Sequence, residues 1–280
     1  MSTTVSSTRS STARRTGAAG ETVTQTHELS ILGGVVHKRY RSWDRGEHLR
    51  EWSALRLLHA HTVDLAPAPL AADLEASVPS LTVGELPGRP LGGALTGPEL
   101  DGLEAALRIL WSVPVGSMPR RRFAPREALS VARTRFARAS RPPGPLGRAV
   151  DAVREWLVDV RLPGGAAKVL GHGDPNLANY LWDGKRVRIV DFEDAGRSDV
   201  SYELASLVEH LSAQGTDWDG FWTRFDVDRE RFLQSRRLAA ALWLYTLLPG
   251  GPSVRRNPPG TPERQAERVL WLLECPRLRE

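Results

Sequence analysis

The chain has 280 residues, 41% hydrophobic and 25% charged, with a formal net charge of +5, the profile of a soluble globular protein of one large domain or two lobes. A single cysteine, Cys275, excludes an internal disulfide framework and a cysteine-based zinc site. No apolar run is long enough to span a bilayer, and MSTTVSSTRSSTARR at the start lacks the apolar stretch of a secretory signal, so the expectation is a cytoplasmic protein without a membrane partner.

In chain order, residues 1–13 read as a disordered lead-in, and TGAAGET, with Gly17 and Gly20, as a small-residue loop able to lie over a ligand's phosphates. Between Thr22 and Arg41, Thr and Val alternate with polar residues about a Gly33-Gly34 turn, which predicts two strands. EHLREWSALRLLHAH carries Leu49, Trp52, Leu55 and Leu58 at spacings of three, a helical stripe off which Arg50 and Glu51 fall. Two prolines in LAPAPLAAD break that helix. PSLTVGELPGRPL reads as a strand entering a Pro/Gly turn at Leu86–Pro90, which divides a β-rich lobe at 14–87 from a helical one at 88–280. Beyond it, Thr96 caps a helix with Leu100, Leu103, Leu107 and Leu110 on one face. Arginine-rich helices follow near 125–140 and 145–160, with further helices near 200–213, 217–225, 228–248 and 261–274.

Charge is segregated along the chain. Residues 119–161 hold eleven arginines, while 191–230 hold eleven acids against three arginines. The arginine run reads either as solvent-facing helices or as a partner's footprint. The acidic run implies a negative cleft that favours cationic ligands.

The densest chemistry is in GHGDPNLANYLWDGKRVRIVDFEDAG, residues 171–196. Tyr180–Trp182, an Asp183-Gly184 turn and Val187–Val190 predict a hairpin. Asn179 enters the hairpin and Asp191 leaves it, so their side chains belong close together, with Asp174 in reach on the preceding loop. An Asn and an Asp held together suit Mg²⁺, and an Asp beside them can accept a proton from a hydroxyl.

Asp-x-x-x-x-Asn followed by Asp-Phe is the arrangement of a kinase catalytic loop and its metal-binding Asp. HGDPNLAN with VDFEDAGRSDVSYELA resembles the aminoglycoside phosphotransferase family of small-molecule kinases. The resemblance implies an α+β, two-lobed, protein-kinase-like fold. It further implies Asp174 as catalytic base, Asn179 and Asp191 as Mg²⁺ ligands, and His172 as a buried orienting residue. Lys38 would contact the phosphates of ATP (or GTP), with Glu51 rather than Glu47 as its partner. Gly17 and Gly20 would cover the phosphates, and the backbone at Glu85 and Leu86 would meet adenine. Glu203 takes the place of the family's helix-start Asp. Gly173 stands where protein kinases carry Arg, and the segment after Asp191 is too short for an activation loop.

A protein of this kind would move the γ-phosphate to a hydroxyl of a small molecule. A cationic antibiotic or metabolite such as an aminoglycoside is the first expectation, and a choline, amino-sugar or homoserine-type acceptor the alternative. Glu193 and Asp194 read as solvated or substrate-facing, and Trp218, Trp222 and Trp243 as cleft-lining or core. A nucleotide-binding scaffold without turnover is the reading from another class. Nucleic-acid binding is not expected, since the arginines lack interleaved aromatics. A monomer or homodimer is expected.

Overall fold

The computed structural model describes residues 27–116, 118–164 and 167–274, so Gly17 and Gly20 lie outside the described residues. Strands β1 (Glu28–Leu32), β2 (Val35–Arg39), β3 (Pro69–Asp73) and β4 (Ser80–Gly84) form one antiparallel sheet in the order β1-β2-β4-β3. Gly33 and Gly34 turn β1 into β2 at φ 60° and 78°, the left-handed pair that a two-residue hairpin needs. β3 was not expected from LAPAPLAAD. Pro69 is tolerated because it is the first residue of an edge strand, next to a register shift at Pro69/Ala71.

Helix α1 (Glu47–His61) packs on this sheet, and its buried face departs from the sequence stripe. Glu47, His48, Glu51, Ala54, Leu55 and Leu58 are buried, whereas Leu49 is 51% exposed. At 100° per residue, an every-third pattern slips 60° per step. Leu49 and Leu58 therefore end up on opposite sides of the helix, and Glu51 lies on the inner one.

A short strand β5 (Arg89–Pro90) leaves the sheet and pairs with β7 (Tyr180–Trp182), which pairs with β8 (Val187–Ile189). Helix α2 (Gly97–Ser112) starts with a capping box, Thr96 with Glu99, and buries Leu103, Leu107 and Leu110. Strands β6 (Val169–Gly171) and β9 (Gly196–Ser198), too short to be seen in the sequence, pair with each other and hold the catalytic-type loop at its base. The remaining helices are α3 (Pro125–Arg138), α4 (Pro145–Asp159), α5 (Val200–Val208), α6 (Arg229–Leu247) and α7 (Thr261–Glu274). Two predicted helices shrink. The one near 200–213 ends at Val208 before a single 3-10 turn, Leu211–Ala213, and the one near 217–225 is only a 3-10 turn, Phe221–Arg224.

Two apolar clusters result. One runs continuously from Tyr40, Leu55 and Leu81 through α2 to Leu170, Ile189, Phe192, Leu204 and Phe232, so sheet and helical region share it. The other is helical, built on Ala132, Phe136, Val153, Leu157, Leu244, Val269 and Leu272. The two-lobed α+β architecture is thus present. No helix among the described residues is long and apolar enough to cross a membrane.

Phe136 is fully buried in the second cluster. Phe136→Ala is expected to cost about 3–5 kcal/mol, read as a lower denaturant midpoint.

Candidate active site

Period-two alternation in β2 sends Val36 and Lys38 inward, and Tyr40 just beyond the strand is buried with them. The Lys38 ammonium donates to Glu51 Oε2 at 2.7 Å, Asp191 Oδ1 at 2.6 Å and Glu193 Oε2 at 3.3 Å. The Tyr40 hydroxyl also donates to Glu51, and His27 Nε2 meets Glu193 Oε2 at 2.6 Å. Glu47, the other acid of α1, is taken by Arg45 at 2.5 Å. Burial opposes the charge on Lys38, but Glu51 and Asp191 outweigh it and hold the ammonium well above its ordinary range. Burial pushes Glu51 up against Lys38. Burial acts in the same direction on Asp191, where Lys38 prevails and holds the carboxyl down.

The hairpin joins the two ends of the motif. Tyr180 faces Ile189 across the ladder, and Val190 N–H donates to the Asn179 carbonyl at 2.9 Å, which sets Asn179 beside the residue preceding Asp191. Its connection is wider than an Asp-Gly pair: Asp183 Oδ1 accepts from the N–H groups of Lys185 and Arg186, each at 2.9 Å. Those two backbone donors, Arg186 first, hold the Asp183 carboxyl down to about 2. Asp191 itself has φ 70°, a left-handed conformation that Asp tolerates better than most residues.

Asn179 Nδ2 donates to Asp174 Oδ2 at 3.1 Å and to the Asp174 carbonyl at 3.2 Å. His172, buried between Tyr180 and Phe192, pins the loop to the strand. Its Nδ1 accepts from Asp174 N–H at 3.2 Å and its Nε2 donates to the Val190 carbonyl at 2.9 Å. Gly173 turns at φ 90°, and a Cβ there would lie 2.2 Å from the Asp194 carbonyl oxygen. Only glycine fits between the two segments, which is why no arginine stands at this position.

Two supporting sets were not visible in the sequence. Arg121, buried, meets Glu203 Oε1 at 2.5 Å and donates to the Gly173 carbonyl at 3.0 Å, while Glu203 Oε2 accepts from His172 N–H at 3.1 Å. Glu203 lies in the first turn of α5, and the cap at that helix start is Asp199, which accepts from Tyr202 N–H. On the other side, His210 Nδ1 accepts from Ser212 N–H at 3.1 Å, and Ser212 Oγ accepts from Leu177 N–H at 2.9 Å. The loop that carries Asp174 and Asn179 is therefore held from both flanks.

The charge reading changes here. Of the acids at 191–230, Glu203 pairs with Arg121, Asp194 with Arg122, Asp199 with Arg231, and Glu209 with Arg236 and Arg268. These four acids are held in internal pairs, while Asp217, Asp219, Asp226, Asp228 and Glu230 are exposed. Nor does the arginine run simply face solvent: Arg133 and Arg154 donate to carbonyls at the ends of α4 and α3. Trp218 donates to the Ala213 carbonyl and packs on Phe221; Trp222 stacks on Phe232, and both lie against the larger core. Glu193 is turned to Lys38. Asp194 contacts Arg122 at 3.3 Å, its carboxyl pushed up by burial. Glu85 is exposed and Leu86 half-buried where the chain leaves the sheet, with Glu85 N–H donating to the Gly34 carbonyl.

Among known families, the phosphotransferase enzyme family matches residues 12–250. No curated protein sequence matches. Solved structures that share the fold include a choline/ethanolamine kinase family protein from Mesorhizobium loti (18% identity, 93% of this chain and 90% of that one, TM-score 0.63). An aminoglycoside phosphotransferase from Streptomyces rimosus is similar too (20% identity, 77% and 91%, TM-score 0.55), as is a macrolide 2'-phosphotransferase from Brachybacterium faecium (17%, 92% and 92%, TM-score 0.56).

Arg121→Met strands a buried carboxylate and is expected to cost about 3–5 kcal/mol; adding Glu203→Leu recovers part of the loss in a double-mutant cycle by denaturation. Burial holds His210 down to about 4, against 6.5 in the unfolded chain. Between those values only the unfolded chain takes the proton, so stability falls as pH drops from 6.5 to 4, by on the order of 3 kcal/mol. His210→Asn flattens that slope in denaturation curves recorded across the window.

Proposed function

Because the chain belongs to the phosphotransferase enzyme family, we propose that this cleft binds ATP or GTP with Mg²⁺ and transfers the γ-phosphate to a hydroxyl of a small molecule. The observation that carries the reading is the Lys38 ammonium, bound at once to Glu51 of α1 and to Asp191 at the end of the hairpin. A lysine fixed at that junction is a preorganised positive charge for the nucleotide's phosphates.

Glu51, Asp191 and Glu193 bring carboxylate oxygens within 4.8 Å of one another, and the Lys38 ammonium takes one oxygen from each; the remaining Asp191 oxygen and the Asn179 amide oxygen are hard donors of the kind a divalent ion takes. Asp191 and Asn179 would hold the ion, with Glu193 beside them. Asn179 gives its amide N–H to Asp174, which leaves Oδ1 as its ligand atom. Such an ion, when bound, offsets phosphate charge.

The other tasks fall to the chain's own groups. Asp174 orients the acceptor hydroxyl and takes its proton as the oxygen attacks phosphorus. His172, Asn179 and the Arg121–Glu203 pair keep its loop from shifting, since misplacement of the base costs rate directly. At the hinge, Glu85 N–H is already given to Gly34, so the Glu85 carbonyl and Leu86 N–H are the groups that would meet the purine.

The acceptor is a hydroxylated small molecule. An aminoglycoside, a macrolide and choline are the acceptors to try first, because structural neighbours are named for them. A cationic acceptor such as an aminoglycoside remains the first candidate, resting chiefly on those neighbours, as four acids of the acidic run are held by arginines.

Turnover of ATP and GTP is measured across that panel, with amino sugars and homoserine added. Asp174→Asn is expected to lower phosphotransfer by roughly 10²–10⁴ while nucleotide binding by calorimetry persists; Lys38→Met weakens the nucleotide itself. Tight nucleotide binding with no turnover on any acceptor would instead make the protein a nucleotide-binding scaffold.

A further inference from the structure

His210 stands just past the end of α5 and uses only one of its two ring nitrogens. Nδ1 accepts the Ser212 N–H at 3.1 Å and lies 2.7 Å from Ser212 Oγ, so the proton of the neutral ring is on Nε2. The residue is only 7% exposed, yet Nε2 has no hydrogen-bond partner among the described residues. Unlike His48 Nδ1, which is unpartnered and sealed, Nε2 keeps access to solvent. Burial keeps the ring neutral near pH 7, and Asp174 is the charged group that acts on it. Ser212 fixes the ring's direction: its Oγ donates to His210 Nδ1 and accepts from Leu177 N–H at 2.9 Å, on the loop that carries Asp174. His210 therefore presents a free N–H donor beside the base.

Trp243, on α6, adjoins that donor. Its indole stands edge-on to the His210 ring, with centroids 4.7 Å apart and planes at 88°. It is half-buried yet packs against neither apolar cluster, unlike Trp218 and Trp222. Its Nε1–H has no hydrogen-bond partner among the described residues. An indole that fills no core and leaves its polar edge free suits a ligand that is apolar on one face and polar at its rim.

Resting on the phosphotransfer reading of this cleft, we infer that His210 and Trp243 form the acceptor subsite, and that the acceptor is a polyol ring, a sugar or a cyclitol. Asp174 takes the proton of one hydroxyl, His210 Nε2–H donates to a second oxygen of the same ring, and the ring's C–H face lies on Trp243. A Trp face alone would hold a quaternary ammonium as well. An ammonium, however, has no lone pair to offer Nε2–H and would leave a buried donor unpaired. Glu209, the acid next to His210 in the chain, supplies no counter-charge there, because Arg236 and Arg268 hold it. The donor thus separates ring polyols, aminoglycosides among them, from choline. The fold does not make that distinction, since neighbours named for both share it.

The full chain is assayed with ATP or GTP and Mg²⁺ on glucose, myo-inositol and an aminoglycoside, and on choline, with nucleotide affinity read separately by calorimetry. At least one ring acceptor is expected to be phosphorylated, with kcat/KM about tenfold or more above that for choline. For that acceptor, His210→Phe keeps a ring and loses the donor, and it raises KM by about tenfold with a smaller change in kcat. Trp243→Ala does the same, and since Trp243 lies outside both cores this variant folds even where His210→Phe does not. His210→Gln, whose amide can donate, restores part of the loss. Ser212→Ala removes the brace and leaves the subsite, so there kcat falls more than KM rises. Choline as the better acceptor, no transfer to any of the three ring polyols, or an unchanged acceptor KM in both His210→Phe and Trp243→Ala overturns the inference. Failure of the wild type to bind nucleotide overturns the phosphotransfer reading itself, and the subsite with it.

Discussion

Everything around the cleft depends on one buried ammonium. Lys38 comes from the sheet, Glu51 from α1, and Asp191 and Glu193 from the far end of the hairpin some 150 residues later in the chain. Neither Lys38 nor Glu51 can lie in this interior alone, because an unpaired charge there costs several kcal/mol. Folding the sheet onto α1 pairs these two charges, and the Asp191 segment then brings two more carboxylates to the same ammonium. The same contact that makes burial tolerable sets the distance between the two halves of the site.

Around that centre the protein uses a second electrostatic device. Basic and acidic residues are segregated along the chain and brought together in space: Arg121 with Glu203, Arg122 with Asp194, Arg231 with Asp199, and Arg236 and Arg268 with Glu209. Several of these pairs are deeply buried, where breaking one leaves a stranded charge, so they specify position more than they add stability. Arg121 shows the consequence best. Through Glu203 it holds His172, and through its second nitrogen it holds the Gly173 carbonyl, so both residues ahead of Asp174 are tied to one guanidinium.

Several features were legible because they are local. The Gly33-Gly34 turn, the Thr96 cap with Glu99, the hairpin after Asn179 and the arginine-rich helices all rest on interactions spanning a few residues. Misreadings arose where a distant partner overrode a local rule. Glu51 was off the leucine stripe yet lies on the buried face, because Lys38 waits there. The acids of 191–230 suggested a negative surface, yet Asp194, Asp199, Glu203 and Glu209 are held by arginines elsewhere in the chain. For Trp218 and Trp222, read as either cleft-lining or core, the contacts with Ala213 and Phe232 favour the core. Strands β6 and β9, three residues each, carry too short a pattern to announce themselves.

By itself, the sequence determined the order of the parts: a lysine on a strand, an acid on the next helix, then Asp174, Asn179 and Asp191 around a hairpin, an order that resembles one family of phosphotransferases. Spacing within a hairpin is set by backbone geometry, so Asn179 and Asp191 had to be neighbours wherever the hairpin lay. Only the tertiary structure decided that Lys38 reaches Asp191 and Glu193 as well as Glu51, that Gly173 is forced by the Asp194 backbone, and that Arg121 braces the loop. Those contacts join segments far apart in the chain, and charge or volume at one end carries no local mark of its partner at the other.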